Sequence, residues 1–185
     1  MVLVGAACVL FCFLYTTLLA QHGMGDVLVL LFFGLVPVCL TYYVTMPPAS
    51  QTITAQVVWA SLACGLVIDT LLVVNNYRDY DQDLAVGKKT LIVRMGRERA
   101  EQLYGWLGNI ATYMMWGCLV LGDSSFVLML VCFACFVPYA LLHGATRVQM
   151  RRIGRGRELN KVLGMTARNM FVFGVTTAIV TLFIL

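Results

Sequence analysis

The sequence predicts an all-α, polytopic transmembrane helix bundle, and three observations lead there. Hydrophobic residues make up 61% of the 185 and charged residues only 12%, whereas a soluble domain carries about 25% charged residues. Mean hydropathy is +0.86. A chain this apolar cannot cover itself with polar surface, so lipid is its expected solvent. The apolar residues also fall into runs of about 20, the length that crosses a bilayer as a helix. Finally, all Lys and Arg except Arg168 sit in two polar stretches. There is no low-complexity tract, no linker and no charged tail, so residues 1–185 read as a single membrane domain. The net charge of +4 is too small to suggest a nucleic-acid partner.

Six spans are expected, at residues 2–20, 26–45, 54–74, 100–121, 125–142 and 165–185. The first lacks the basic start and small-residue cleavage site of a signal peptide. Gly34, Pro37, Gly65 and Pro138 lie within spans, where such residues are tolerated and often kink the helix. Tyr42, Tyr43, Tyr104 and Trp106 sit near span ends, as interfacial anchors do. His22 and His143 also fall at span ends and read as solvated interfacial histidines. The cysteines, including the C-x-x-C of Cys132 and Cys135, lie inside apolar runs with no neighbouring His. They read as small buried hydrophobes, with no disulfide and no structural zinc.

The basic stretches set the expected topology. Residues 75–99 hold Arg78, Lys88, Lys89, Arg94, Arg97 and Arg99. Residues 143–164 hold Arg147, Arg151, Arg152, Arg155, Arg157 and Lys161. Six spans put both stretches on one side, and the positive-inside rule makes that side cytoplasmic. The expected location is the inner membrane, with both termini on the far side. Charge orientation explains the run at 149–161 without a specific anionic-lipid contact.

Residues 74–96 concentrate the chemistry. Asp79, Asp81 and Asp83 lie where the third span leaves the membrane. On a continuing helix, Asp79 and Asp83 are about 40° apart and one turn apart, and Asp81 points roughly the other way. A D-x-x-x-D pair on one face is a hard oxygen site that suits Mg²⁺, which keeps waters and joins one or two carboxylates to phosphate oxygens. Arg78 precedes the pair, and Lys88 and Lys89 follow Gly87. Carboxylates for a metal beside cations for phosphate describe a diphosphate site, to which Asn75 and Asn76 add amide hydrogen bonds. The plainer reading of the same residues is a mixed-charge loop that only solvates itself. Asp69 lies seven residues before Asn76, about 10 Å deeper on nearly the same face. An ionisable residue within a span is a functional candidate by default, and Asp69 reads as a cavity residue.

The stretch N-N-Y-R-D-Y-D-Q-D-L-A-V-G-K-K-T-L (residues 75–91) resembles the second aspartate-rich motif of the UbiA superfamily of intramembrane prenyltransferases. Its form is most like the menaquinone branch. Residues 22–44, H-G-M-G-D-V-L-V-L-L-F-F-G-L-V-P-V-C-L-T-Y-Y-V, resemble the G-x-G-[DE]…F-F-G…T-Y-Y stretch of the same branch. The resemblance implies transfer of a polyprenyl group from its diphosphate to 1,4-dihydroxy-2-naphthoate in menaquinone biosynthesis. It implies Mg²⁺ on Asp79 and Asp83, with Asn76, Arg78 and Lys88 around the diphosphate. It also implies a nine-helix fold of which these six spans are the last six. The family's first motif, N-D-x-x-D, does not occur in this sequence. The expectation is therefore an incomplete chain with little activity alone, or one completed by a separate chain carrying that motif. The alternatives are a UbiA-type enzyme with another aromatic acceptor, or a non-catalytic membrane fragment or permease subunit.

Overall fold

The computed structural model describes residues 5–7, 9, 10, 23–120 and 125–184. Most of the first expected span lies outside the described residues, as do His22, Cys8 and Cys12. The first complete helix, α1, runs Gly25–Thr45, and its middle, Leu30–Leu35, is widened to a π-helical turn. Helix α2 follows at Ala55–Arg78, with the Thr54 hydroxyl accepting from the Val57 N–H as an N-cap. Two short helices come next, α3 at Tyr80–Ala85 and α4 at Leu91–Met95. Three long ones end the chain: α5 at Arg97–Val120, α6 at Phe126–Ile153 and α7 at Leu159–Ile184. Ser125 caps α6 by accepting from the Leu128 N–H.

Helix α2 is the centre of the bundle. It packs on α1, α5 and α7, and α6 packs on α5 and α7. The α1–α2 crossing is close because both helices present glycine there. A Cβ on Gly34 would lie 2.7 Å from the Ser61 carbonyl oxygen and 2.8 Å from Gly65 Cα. Small residues spaced as Ser61 and Gly65 are let helix backbones touch, which matters in lipid, where no hydrophobic force draws helices together. Opposite, α5 buries Ala100, Tyr104, Leu107, Ala111, Met115 and Cys118, a helical stripe that shares its core with α2 residues Ala63, Val67, Val73 and Val74.

Among the described residues, four helices are long and apolar enough to cross a membrane: Gly25–Thr45, Ala55–Arg78, Phe126–Ile153 and Leu159–Phe183. At about 1.5 Å per residue, 21 residues reach about 30 Å, the thickness of the hydrocarbon layer. The chain is therefore an all-α, multi-pass membrane bundle. Helix α5 matches them in length, with 24 residues, but Arg97, Glu98, Arg99, Glu101, Gln102 and Asn109 lower its hydropathy. Of the six expected spans, the first lies mostly outside the described residues, four are helices of this kind, and the remaining one, α5, is a helix of matching length.

Two expectations are corrected by the packing. Helix α6 continues well past the apolar run, which puts His143 inside the bundle, 2% exposed. Its ring stacks on Tyr104 at 4.4 Å and on Tyr139 at 5.6 Å, and its Nε2 lies 2.9 Å from the Tyr104 carbonyl oxygen. It is a buried helix-joining residue, not a solvated one. Tyr104 is likewise no interfacial anchor. It is fully buried, with its hydroxyl 3.1 Å from Thr166 Oγ1. Burying a polar ring in lipid requires such partners, and α5, α6 and α7 supply them to each other.

The two basic stretches meet at one end of the bundle. Arg78 donates to Asn160 Oδ1, and Arg97 donates to the carbonyls of Tyr77 and Gly154. The start of α1 reaches the same end, where Gly23 and Gly25 line a cavity with Asn76 and Lys88.

Candidate active site

The polar end is built by a break and a turn. Helix α2 ends at Arg78, and Asp79 has φ −88° and ψ 4°, outside the helical well. The spiral nevertheless resumes at once, because the Asp83 N–H donates to the Asp79 carbonyl oxygen at 2.9 Å. One turn therefore still separates Asp79 from Asp83, despite the break. Helix α3 closes with a Schellman motif. The Lys88 N–H donates to the Asp83 carbonyl and the Gly87 N–H to the Leu84 carbonyl, with Gly87 at φ 70°. This reversal carries Lys88 back over Asp83, and its Nζ donates to both carboxylate oxygens at 3.2 and 3.3 Å.

Each aspartate of the cluster has its own cation. Arg78 forks onto Asp79 at 2.7 and 2.8 Å. Arg97 donates to Asp81 at 2.9 Å and lies over the rings of Tyr77 and Tyr80. Lys88 holds Asp83, the most buried of the three at 7% exposed. Asp81 thus turns away from the other two and serves to fix Arg97. The Arg78–Asp79 pair is about one-third exposed on each side, so it is worth roughly 0–1 kcal/mol. A ligand can displace it at small cost.

The expected diphosphate residues separate into two groups. Asn76 and Lys88 line one cavity of about 30 Å³, whose other walls are Gly23, Gly25, Asp26, Leu72, Thr90 and Leu91. Arg78 lies beside Asp79. Asn75 is exposed and joins neither group. Thr90 is buried and caps α4 by accepting from the Val93 N–H at 3.2 Å. Asp69 is 2% exposed, and its Oδ1 has no hydrogen-bond partner.

Reading the residues alone missed Asp26. It lines the cavity, is 8% exposed and also has an unpartnered Oδ1. Its signal was an acidic residue at the start of an apolar run, opposite the polar end of the next span.

The donor set fits a hard divalent cation. Asp79 and Asp83 offer two carboxylates one turn apart, both now held by side chains that also suit phosphate. Among the described residues no group of three or more His, Cys, Asp or Glu comes together. Water and substrate oxygens would complete the shell, as Mg²⁺ prefers.

Residues 1–165 match the UbiA prenyltransferase family. A 1,4-dihydroxy-2-naphthoate octaprenyltransferase of Mycobacterium tuberculosis is 34% identical over 187 residues, covering 96% of this chain and 58% of the relative. Enzymes of the same name from Escherichia coli and Haemophilus influenzae are 32% and 36% identical, over 64% and 48% of this chain and 32% and 28% of their own lengths. The chain therefore spans at most 58% of the length of these relatives. No solved structure matches it. With a match across residues 1–165 that includes both G-M-G-D and N-N-Y-R-D-Y-D-Q-D, the chain belongs to the UbiA prenyltransferase family.

Proposed function

We propose that the polar end of this bundle binds a polyprenyl diphosphate and takes part in its transfer to 1,4-dihydroxy-2-naphthoate, in menaquinone biosynthesis. The observation that carries this reading is the pair of carboxylate–cation contacts at the two ends of one turn around α3. Asp79 and Asp83 stand one helical turn apart, and Arg78 and Lys88 are already paired to them. The named relatives support the choice of acceptor.

In this reading Asp79 and Asp83 hold Mg²⁺, which when bound offsets the charge of the diphosphate. Arg78 gives a flat fork of N–H donors matched to phosphate oxygens. Lys88 gives a compact ammonium that turns from Asp83 to the diphosphate, and Asn76 adds an amide donor. As the prenyl C–O bond breaks, its electron pair stays with the diphosphate. The electron-rich ring carbon that bears the carboxylate bonds to the allylic carbon, and the carboxylate leaves as CO₂, its bonding pair restoring the aromatic ring. Arg78 and Lys88 stabilise the charge that develops there, which is the main electrostatic contribution of such a site. Asp69 lies deeper on the same face of α2 and belongs to the cavity on the acceptor side. The apolar bundle beyond it gives the prenyl tail a lipid-like route. The two basic stretches, through the positive-inside rule, support a cytoplasmic orientation of this end at the inner membrane.

The test is a transfer assay with the full chain in lipid nanodiscs, given farnesyl diphosphate, 1,4-dihydroxy-2-naphthoate and Mg²⁺. The reading expects a prenylated naphthalenediol that disappears in Asp83→Asn, at a low level from this chain alone or at a higher one with a chain supplying N-D-x-x-D. Product formation that is indifferent to Asp83→Asn, or no product with or without that second chain, would overturn it.

A further inference from the structure

Two buried carboxyl groups inside the bundle are not used by the diphosphate site. Asp26 is at the start of α1, and Asp69 is on α2, which packs on α1. They are 8% and 2% exposed, and each leaves its Oδ1 without a partner. On α2 the residues Asp69, Leu72 and Asn76 follow the i, i+3, i+7 spacing of one helical face. Leu72 and Asn76 line the cavity that Asp26 also lines, so Asp69 sits on the cavity side one turn deeper.

An ionised carboxylate only accepts hydrogen bonds. Buried without donors, it costs several kcal/mol in any protein. The same group protonated both donates and accepts. A hydroxyl, which also does both, partners the free oxygen in either state. The cavity, at about 30 Å³, has room for a hydroxyl or a water and not for a ring. Leu72 and Leu91 in its wall suit the edge of an apolar ring standing at its mouth.

We infer that Asp26, backed by Asp69, receives a hydroxyl of the aromatic acceptor and holds that ring beside the diphosphate residues Asn76 and Lys88. This inference rests on the prenyltransferase reading and adds an acceptor-binding residue on α1. It also explains why polar groups on two different helices open onto one cavity. Asn76 and Lys88 take the anion, and the carboxylates take the hydroxyl.

The test compares binding of 4-hydroxy-2-naphthoate and 2-naphthoate, which differ only in the hydroxyl, to the full chain in nanodiscs. A hydrogen bond to a charged group corresponds to about a 10-fold or greater preference for the hydroxylated probe. The expected result is that preference in the unsubstituted chain and its loss in Asp26→Asn. Asp69→Asn should reduce it, and Mg²⁺-dependent binding of farnesyl diphosphate should hold within about 2-fold in both variants. Retained diphosphate binding also shows that each variant is folded. An unchanged hydroxyl preference in both variants would overturn the inference, as would its absence from the unsubstituted chain. If the unsubstituted chain fails to bind farnesyl diphosphate, the prenyltransferase reading itself falls, a different result from loss of the hydroxyl preference alone.

Discussion

At the scale of single residues, the place of Lys88 beside Asp83 depends on Gly87. Gly87 sits at φ 70° with open space where a side chain would go. An added methyl would meet nothing, so the cost of Gly87→Ala is purely conformational, about 1 kcal/mol. That cost falls on the Schellman turn that returns Lys88 to Asp83. Gly87→Ala should lower the unfolding midpoint in detergent and weaken farnesyl diphosphate binding a few-fold. Gly87→Asn should do less on both counts, since Asn tolerates the left-handed region. Equal behaviour of the two variants would show that the turn does not position Lys88. Residue chemistry was also where the sequence was most legible. Spacing marks Asp79 and Asp83 as candidates, and charge within an apolar span marks Asp69. Helical geometry sets Asp81 apart from the other two, but its bond to Arg97 joins positions 16 residues apart, and no local pattern encodes that.

Elements were less legible than residues, for a physical reason. Hydropathy marks where lipid begins and ends, whereas a helix ends where its hydrogen bonds do. The apolar run of α6 stops near Leu142, yet the helix continues to Ile153 because Thr146 and Met150 still face a packed interior. His143 and Tyr104 were misread on that account. Helix α5 shows the converse, being a long helix whose polar residues hide it from a hydropathy test. The crossing of α1 and α2 was foreshadowed only by Gly34 and Gly65, and neither indicated its partner. That crossing gives a direct prediction. Gly34→Ala pushes a methyl into the backbone of α2 at 2.7 and 2.8 Å, and backbone does not yield. Gly65→Ala meets the Leu30 side chain at 3.1 Å and the backbones of Gly34 and Leu30 at 3.2 and 3.3 Å. Overpacking of this kind costs about 1–3 kcal/mol. Gly34→Ala should therefore lower stability toward denaturing detergent more than Gly65→Ala does, and the reverse order would contradict the described crossing.

At the scale of the whole molecule, the arrangement gathers four stretches of chain at one end. These are the start of α1, the end of α2 with α3 and α4, the start of α5, and the α6–α7 turn. Arg97 ties three of them by donating to Tyr77, Asp81 and Gly154. Charge distribution alone indicated that the two basic stretches share a side, and the Arg78–Asn160 and Arg97–Gly154 bonds place them in contact. In the proposed function, this end binds a prenyl diphosphate through Mg²⁺ on Asp79 and Asp83. The most direct measurement is farnesyl diphosphate affinity for the full chain in nanodiscs, with Mg²⁺ and with a chelator. It is made for the unsubstituted chain and for Asp79→Asn, Asp81→Asn and Asp83→Asn. The account predicts Mg²⁺-dependent binding, weakened about 10-fold or more by Asp79→Asn and by Asp83→Asn, and little changed by Asp81→Asn. Affinity that ignores Mg²⁺, or equal losses at all three aspartates, would contradict it.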